Sequence, residues 1–235
     1  TEITEGYARI EYAWKADGLW CTYLVPATSG GSAPDIALGE ANRVWVIWQV
    51  LENSIYHDIY ALYGIYDQGI TWSQYAMNIS DSPTTDSVSA SLAGVPGVGV
   101  FAVWQESDDQ TARIYYADNL EYGDYWSEPV CLSQTGTRSE QPSITAYGRH
   151  SVHVAWDAGN QLLHCYRLST GAWSPCTAIA NDPHAIGQVV LAIGPDRTVH
   201  AVWSQQMAAQ ALDIYYRSGM SAWPYHAWLS LIASP

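Results

Sequence analysis

The sequence has little of what binding to an anionic partner requires. Its 235 residues contain one lysine, Lys15, and eight arginines against 23 acidic residues, which gives a net charge of −14. Nucleic acids and anionic membrane surfaces need a cationic face, so we expect neither as a partner. No apolar run reaches the roughly eighteen residues of a spanning helix, and we expect no membrane insertion. The four cysteines include no Cys-x-x-Cys spacing, which argues against a zinc site.

Phenylalanine is also nearly absent. The chain has one Phe but twelve Trp and seventeen Tyr. A purely apolar core would accept Phe as readily, so the bias favours rings with a polar group that can lie at strand edges. Runs such as VWVIWQV and VGVFAVW are rich in strand-forming residues, and no long stretch has helical periodicity. The sequence therefore predicts an all-β protein.

The aromatic residues recur at a spacing of roughly fifty residues, which is typical of repeats that stack on one another. A Trp follows an apolar run in each repeat, a Tyr segment comes next, and a second Trp opens a fourth strand. The three landmarks are Trp48, Trp104, Trp156 and Trp203; then Tyr60, Tyr115-Tyr116, Tyr166 and Tyr215-Tyr216; then Trp72, Trp126, Trp173 and Trp223. We expect the first set of Trp residues to fill the packing between repeats and to end the second strand of each one.

Each repeat resolves into four short strands, and four antiparallel strands at this period form the blade of a β-propeller. A β-sandwich is the alternative, but it would not reproduce the same aromatic positions four times. We predict a single domain with four full blades at about 33–81, 86–133, 141–181 and 187–233. Residues 1–32 supply two outer strands, which form an N-terminal half-blade.

The half-blade lacks its inner two strands, and the chain ends after its own last fourth strand. An open strand edge is normally covered in native proteins. Either the chain is part of a longer propeller, or a strand of another copy completes the half-blade. The second option would make the protein an assembly subunit that forms homo-oligomers or filaments.

The turn after the third strand of the first blade carries the most specific motif. Residues 66–73 read YDQGITWS, a D-x-G-x-T-W-S pattern at Asp67, Gly69 and Trp72. It resembles the Asp-box hairpin of sialidase-like propellers, and the phrases IYY…WSEP and PSI…VHVAW resemble bacterial sialidase-like repeat domains. The resemblance implies that Asp67, Gly69 and Trp72 have a structural role and that the protein is extracellular or on the cell surface.

The loops after the second strands and the connections between blades share one rim, where propeller ligands usually bind. This rim is rich in carboxylates and poor in cations. Our candidate ligand-binding residues are Glu52, Glu106, Asp108, Asp109, Arg138, Asp157 and His184. We expect them to bind a glycan or a protein.

The resemblance also implies what a sialidase active site would need: three arginines for the substrate carboxylate and a nucleophilic Tyr with a carboxylate base. Arg43, Arg149 and Arg197 precede second strands and are expected on the opposite rim, so only Arg138 is suitably placed. We therefore assign no catalytic residue and favour a non-catalytic recognition module. A sialidase-like glycoside hydrolase and a structural assembly subunit are the alternatives.

Two further hypotheses concern metal and redox chemistry. The group Glu106, Asp108 and Asp109 offers oxygen ligands that suit Ca²⁺, but we favour the alternative that these acidic loops are solvated and confer solubility, so no cofactor is assigned. Cys165 and Cys176 flank a predicted hairpin turn at Thr170-Gly171, and counting outward from that turn brings them opposite each other. They either form a disulfide or remain two buried thiols.

Overall fold

The structure is a computed structural model that describes residues 8–52, 55–67, 69–120, 125–134, 136, 138–181, 186–206, 212–220 and 228–232. The described residues are all-β, and they contain no helix long and apolar enough to cross a membrane. Their strands form one two-stranded sheet and four larger antiparallel sheets in chain order. The fold is the β-propeller that the sequence predicts, with a half-blade followed by four blades.

The half-blade consists of β1 (Glu11–Ala16) and β2 (Leu19–Leu24). The first blade consists of β3 (Gly31–Leu38), β4 (Arg43–Glu52), β5 (Tyr56–Tyr66), β6 (Ile70–Trp72) and β7 (Met77–Asn78), where β6 and β7 both pair with β5. The second blade consists of β8 (Asp86–Val95), β9 (Gly99–Ser107), β10 (Ala112–Asn119) and β11 (Val130–Cys131).

The third blade consists of β12 (Glu140–Gly148), β13 (Ser151–Asp157), β14 (Gln161–Tyr166) and β15 (Thr177–Asn181). The fourth consists of β16 (Ile186–Ile193), β17 (Thr198–Gln206), β18 (Leu212–Met220) and β19 (Trp228–Ile232). In every blade the strands pair in sequence order, so the first strand is innermost.

The hydrophobic core consists of separate clusters, each between two successive sheets. Residues that alternate along a strand face opposite sides of the sheet. In β4, Val44, Val46 and Trp48 therefore pack on the half-blade, while Trp45 and Ile47 pack on the second blade. The Trp residues of the first landmark are 0–5% exposed and fill these contacts, as expected.

Two details of the strand prediction are wrong, and the register of the third repeat differs from that of the others. Trp48 and its counterparts do not end the second strands; β4, for example, continues to Glu52. Trp126 and Trp173 lie before the fourth strands rather than opening them. The residue opposite Trp156 is Leu163, whereas Tyr166 is opposite His153. The third repeat thus lacks the Trp–Tyr cross-strand stack of the other blades, such as the one between Trp48 and Tyr60.

The second Trp of each described repeat packs edge-on against the preceding sheet. Trp72 meets Tyr12 with ring centroids 5.5 Å apart, Trp126 meets Trp45 at 5.5 Å, and Trp173 meets Tyr116 at 4.8 Å. T-shaped pairs of this kind add to the energy of apolar burial. The segment between the third and fourth strands of a blade, or the fourth strand itself, therefore helps to hold the blade before it.

A bulge interrupts each inner strand near its start, and its left-handed residue is not glycine in the first three blades. These residues are Ala33, Ser89 and Gln141, with φ of 47°, 55° and 50°. The side chain of Gln49 accepts a hydrogen bond from the Ser89 amide, and that of Gln105 accepts one from the Gln141 amide. Side chains of the preceding blade thus bind the bulges and fix the inner strands around the axis.

Candidate functional site

The ligand rim is the end of the propeller where β4, β9, β13 and β17 finish. Glu52 and Asp157 are the last residues of β4 and β13, and Glu106 is the last but one of β9. The structure therefore brings these three carboxylates to one rim. Arg43 begins β4 and lies at the opposite rim, as do the turns that carry Arg149 and Arg197.

Glu52 forms the centre of one polar contact on this rim. The Tyr60 hydroxyl donates a hydrogen bond of 2.6 Å to its Oε1. Burial is the largest cause that raises the pKa of Tyr60 to about 12, and the hydrogen bond to Glu52 and the charge of Glu52 add to it. Tyr60 is therefore a protonated donor that holds Glu52 in place, and it is not an activated nucleophile.

Asp58 is a rim carboxylate that our candidate set leaves out. It is buried and accepts hydrogen bonds from Asn78 (2.8 Å), from the Ser80 hydroxyl (3.0 Å), and from the amide and hydroxyl of Ser82 (3.2 and 3.0 Å). These contacts hold the connection between the first two blades. The alternating polar residues of N-x-S-x-S at 78–82 were the signal that could have identified it.

Glu106 lies where the first two blades meet at the rim. The Trp104 indole donates a 3.0 Å hydrogen bond to its Oε1. Burial raises the pKa of Glu106, and the charge of Asp58 acts in the same direction. Glu106 is thus a partly desolvated carboxylate.

Asp108 and Asp109 are exposed on the loop after β9. The Asp108 carboxylate accepts from the amides of Gln110 and Thr111, at 2.8 and 2.6 Å, and these bonds lower its pKa. Asp108 therefore stabilises its own turn. No three metal-binding side chains are grouped among the described residues, and Ca²⁺ binding by Glu106, Asp108 and Asp109 stays a prediction.

A second polar group lies on the third blade. Arg138 forms an ion pair with Glu140, and Glu140 is the cross-strand partner of Asp157. Burial raises the pKa of Asp157 to about 6; the Gly159 amide, 2.7 Å away, opposes that shift, and the charge of Glu140 adds to it. His184 lies outside the described residues.

The axis of the propeller contains a cavity of about 520 Å³. Four inner strands contribute its walls, and most of the lining residues are polar or small. The polar ones are Asp35, Ser89, Ser91, Gln141, Ser143 and Gln188. Among the described lining residues Asp35 is the only charged one, and it accepts from the amides of Ile36 and Leu92 at 2.8 and 2.7 Å. These residues offer hydroxyl, amide and carboxylate groups, and none of them is a cation.

Three arginines of the propeller have structural partners. Arg43 pairs with Glu40 at 3.2 Å and lies over the Tyr63 ring, and Arg197 lies over the Tyr147 ring. Arg167, which follows a Tyr strand, pairs with Asp118 at 2.7 Å between the second and third blades. Among the described residues, these arginines do not converge on the axial cavity.

The turn with the Asp-box pattern is a tight hairpin. The Asp67 amide donates to the Gly69 carbonyl at 2.9 Å, and Trp72 packs into the cluster between the half-blade and the first blade. Trp72 also lies directly over Gly64, where a Cβ would meet its ring at 3.0 Å. Asp67 itself is exposed. A structural role for Asp67, Gly69 and Trp72 stays the interpretation, and packing of the Trp72 ring is its main support.

Cys165 and Cys176 are both free thiols in this structure. Their side chains share a hydrogen bond. This bond and burial raise the pKa of Cys165, whereas the bond lowers the pKa of Cys176 although burial opposes that shift. Cys165 is buried and Cys176 half-buried, in the cluster between the second and third blades. A disulfide between them stays a prediction.

No family model matches the chain, and no curated protein matches its sequence. Solved structures with the same fold include an α-L-arabinofuranosidase from Podospora anserina, with a TM-score of 0.51 and 11% identity over 93% of this chain and 70% of that one. A thermostable family-43 glycoside hydrolase gives a TM-score of 0.53 and 11% identity over 92% of this chain and 83% of that one.

A Hadza microbial sialidase gives a TM-score of 0.53 and 12% identity over 78% of this chain, which spans 43% of that protein. At such identities the likeness shows the fold alone. The chain is thus a β-propeller of the kind that several glycoside hydrolases share.

Proposed function

We propose that the protein is a non-catalytic recognition module that binds a neutral carbohydrate at the ligand rim and the axial cavity. The supporting observation is the cavity itself: four blades line it with hydroxyl, amide and carboxylate groups, and none of the lining residues that the structure describes is a cation. Sugar hydroxyls pair with such groups, and a few placed polar contacts give a pocket its specificity. The net charge of −14 disfavours acidic sugars.

The propeller neighbours are consistent with this proposal, since they are named as glycoside hydrolases and one was solved with cellotriose. A ligand of this kind fits a protein that acts outside the cell or on its surface. A protein ligand at the same rim is the alternative binding partner.

The test is calorimetric titration with cellotriose and with a sialylated trisaccharide. We expect cellotriose to bind more tightly. Glu106→Gln and Asp157→Asn should each weaken binding about tenfold, because a hydrogen bond to a charged group contributes about 1.5–3 kcal/mol. Asp196→Asn, an exposed change at the opposite rim, is the matched control. Tighter binding of the sialylated sugar, or equal effects of all three variants, would contradict the proposal.

Glycoside hydrolysis is the second candidate function, and the raised pKa values of Glu106 and Asp157 favour it. Glycosidases use a pair of carboxyl groups, of which the acid needs a raised pKa. The protein should then release the chromophore from nitrophenyl arabinofuranoside or from a sialoside. Turnover that Glu106→Gln or Asp157→Asn abolishes would replace the binding proposal with this one.

A further inference from the structure

The lining of the axial cavity includes one equivalent position from the inner strand of each blade. In every blade this residue lies opposite the one that directly precedes the Trp of the second strand. The four positions are Asp35, Ser91, Ser143 and Val190, opposite Ile47, Val103, Ala155 and Val202. The repeat therefore contributes one carboxylate, two hydroxyls and one apolar side chain to the cavity at the same place.

Two of these side chains bind the inner strand of the next blade. Asp35 Oδ2 accepts a hydrogen bond of 2.7 Å from the Leu92 amide. The Ser143 hydroxyl accepts one of 3.0 Å from the Leu191 amide, which is at the equivalent register position. A serine thus makes this link between blades without a charge. The link alone does not explain why the first blade has a carboxylate at this position.

The Asp35 carboxylate is half-buried, and no cation accompanies it among the described residues. It takes part in none of the ion pairs that these residues form. Asp35 also borders a smaller cavity of about 260 Å³, in which the other charged lining residue that the structure describes is Glu11. A desolvated carboxylate without a cation is costly, so a cationic group of a ligand that lies beside Asp35 is stabilised.

The carboxylate keeps acceptor capacity for such a group. Its Oδ1 accepts from the Ile36 amide at 2.8 Å, and its Oδ2 accepts from the Leu92 amide. An ionised carboxylate has about four lone-pair sites, so about two of them remain. The same cavity lining includes the hydroxyls of Ser89 and Ser91, from the second blade. A protonated primary amine has three N–H donors and no acceptor, which suits a carboxylate with hydroxyls in the same cavity.

We propose that the axial cavity prefers a saccharide that carries a protonated primary amine, and that this amine binds Asp35. The proposal rests on the proposed function, because it names the class of sugar for the same cavity. Sugar hydroxyls pair with the neutral lining groups, and the amine adds a charge-assisted hydrogen bond to Asp35. The net charge of −14 also attracts a cationic ligand. No group of three metal-binding side chains lies at Asp35 among the described residues, so an amine fits this site better than a metal ion.

The test is calorimetric titration of the full chain with two trisaccharides, the trimer of glucosamine and the trimer of N-acetylglucosamine. The two ligands share their ring skeleton, but only the first has amino groups. These groups are protonated at about pH 6, which lies below the usual pKa of an amine. We expect the glucosamine trimer to bind at least about tenfold more tightly, because charge-assisted hydrogen bonds are roughly twice as strong as neutral ones.

The variant Asp35→Ser gives the first blade the residue that the second and third blades have at this position. It should keep the link to the Leu92 amide and lose the carboxylate. The preference for the glucosamine trimer should then fall to about twofold or less, since long-range attraction by the remaining charges is screened by salt. Asp196→Asn removes one exposed negative charge at the opposite rim and is the matched control, which should keep the full preference.

The outcomes separate this proposal from carbohydrate binding itself. Equal affinity for the two trimers, or a preference that Asp35→Ser leaves unchanged, would overturn the amine proposal while the protein still binds sugars. If neither trimer nor cellotriose binds, both proposals are wrong. Circular dichroism checks that the variants fold, and Asp35→Asn replaces Asp35→Ser if that variant does not.

Discussion

The interface between the first and second blades and the one between the second and third use the same register positions with different chemistry. At the first interface Trp45 is opposite Tyr63, and Trp45 also meets Trp126 edge-on. At the second interface the equivalent pair is Phe101 and Asp118. An aromatic contact in one place thus corresponds to a buried carboxylate in the other.

The buried carboxylate of the second interface is fully engaged. Asp118 accepts from the Arg167 guanidinium and from the Tyr116 hydroxyl, each at 2.7 Å, and Arg167 also donates to Tyr116. Burial and the charge of Asp118 raise the pKa of Tyr116. The repeat therefore specifies where side chains meet, while the chemistry of each contact is set interface by interface. A buried ion pair depends on both partners, whereas an aromatic contact depends mainly on volume.

Arg167→Ala should have the largest effect, because it leaves Asp118 buried without its cation. We expect the free energy of unfolding in urea to fall by about 3–5 kcal/mol. The double variant Asp118→Asn with Arg167→Met removes both charges and should recover a large part of that loss. If the double variant is as unstable as Arg167→Ala, packing and not charge dominates this interface.

The variants Ile59→Ala and Ile214→Ala compare a side chain that is buried between two blades with its exposed counterpart in the fourth blade. Ile59 is fully buried in the first interface, so its truncation should cost about 2–5 kcal/mol of unfolding free energy. Ile214 is 61% exposed, and in dilute, monomeric protein its truncation should change stability by less than about 0.5 kcal/mol. Urea unfolding measures both. Equal losses would mean that the fourth blade's face is covered within the same chain.

The sequence was sufficient to predict the blades because their signals are local. An apolar run before Trp48 or Trp104 indicates a second strand without reference to any partner. Register was harder, since the β13–β14 hairpin is shorter beyond its Trp: seven positions separate Trp156 from its partner Leu163, against twelve between Trp48 and Tyr60. That shift makes Leu163, and not Tyr166, the partner of Trp156. Counting aromatic residues cannot reveal such a shift.

The candidate site was predicted only in part. Glu52, Glu106 and Asp157 lie on one rim because strand direction places them there. Asp58 was missed, since its role depends on donors about twenty residues away, in the connection to the next blade. The pairing of Asp118 with Arg167 spans 49 residues and crosses two blades. Contacts of this range depend on the packing of whole blades and leave no local pattern.

Cys165 and Cys176 lie in the cluster of the second interface but both belong to the third blade, so they provide a covalent test of that blade. Oxidised glutathione is used to convert the two thiols to a disulfide. If the disulfide forms, closing the short loop between the two cysteines should raise the free energy of unfolding by about 2–3 kcal/mol. Unfolding with and without reductant measures the change, and Cys176→Ser is the control that cannot form the bridge. Four reactive thiols in the oxidised, denatured protein would exclude the disulfide.

Two carboxylates at the rim, Asp58 and Asp157, extend the comparison of the blades. Asp58, between the first two blades, accepts four hydrogen bonds, whereas Asp157 of the third blade accepts one, from Gly159, and is paired across the strands with Glu140. Burial, with the charge of Glu140 as a smaller cause, raises the pKa of Asp157 from 3.8 to about 6. The folded protein therefore holds this proton more tightly than the unfolded chain does. The contribution of Asp157 to the free energy of unfolding should be highest below about pH 4 and should fall as the pH rises to about 6.

Asp157→Asn removes this penalty and should have the smallest effect. The side chain is partly exposed, so after allowance for solvent screening we expect a gain of about 1 kcal/mol at pH 7–8 and none at pH 4. Asp108→Asn is the control of opposite sign, because backbone hydrogen bonds lower the pKa of Asp108 and its contribution is lost as the pH falls. Urea unfolding at a series of pH values measures both. If the gain for Asp157→Asn is the same at pH 4 and at pH 8, removal of the charge is not its cause. Asp157 would then not differ from Asp58 in the way that their hydrogen bonds indicate.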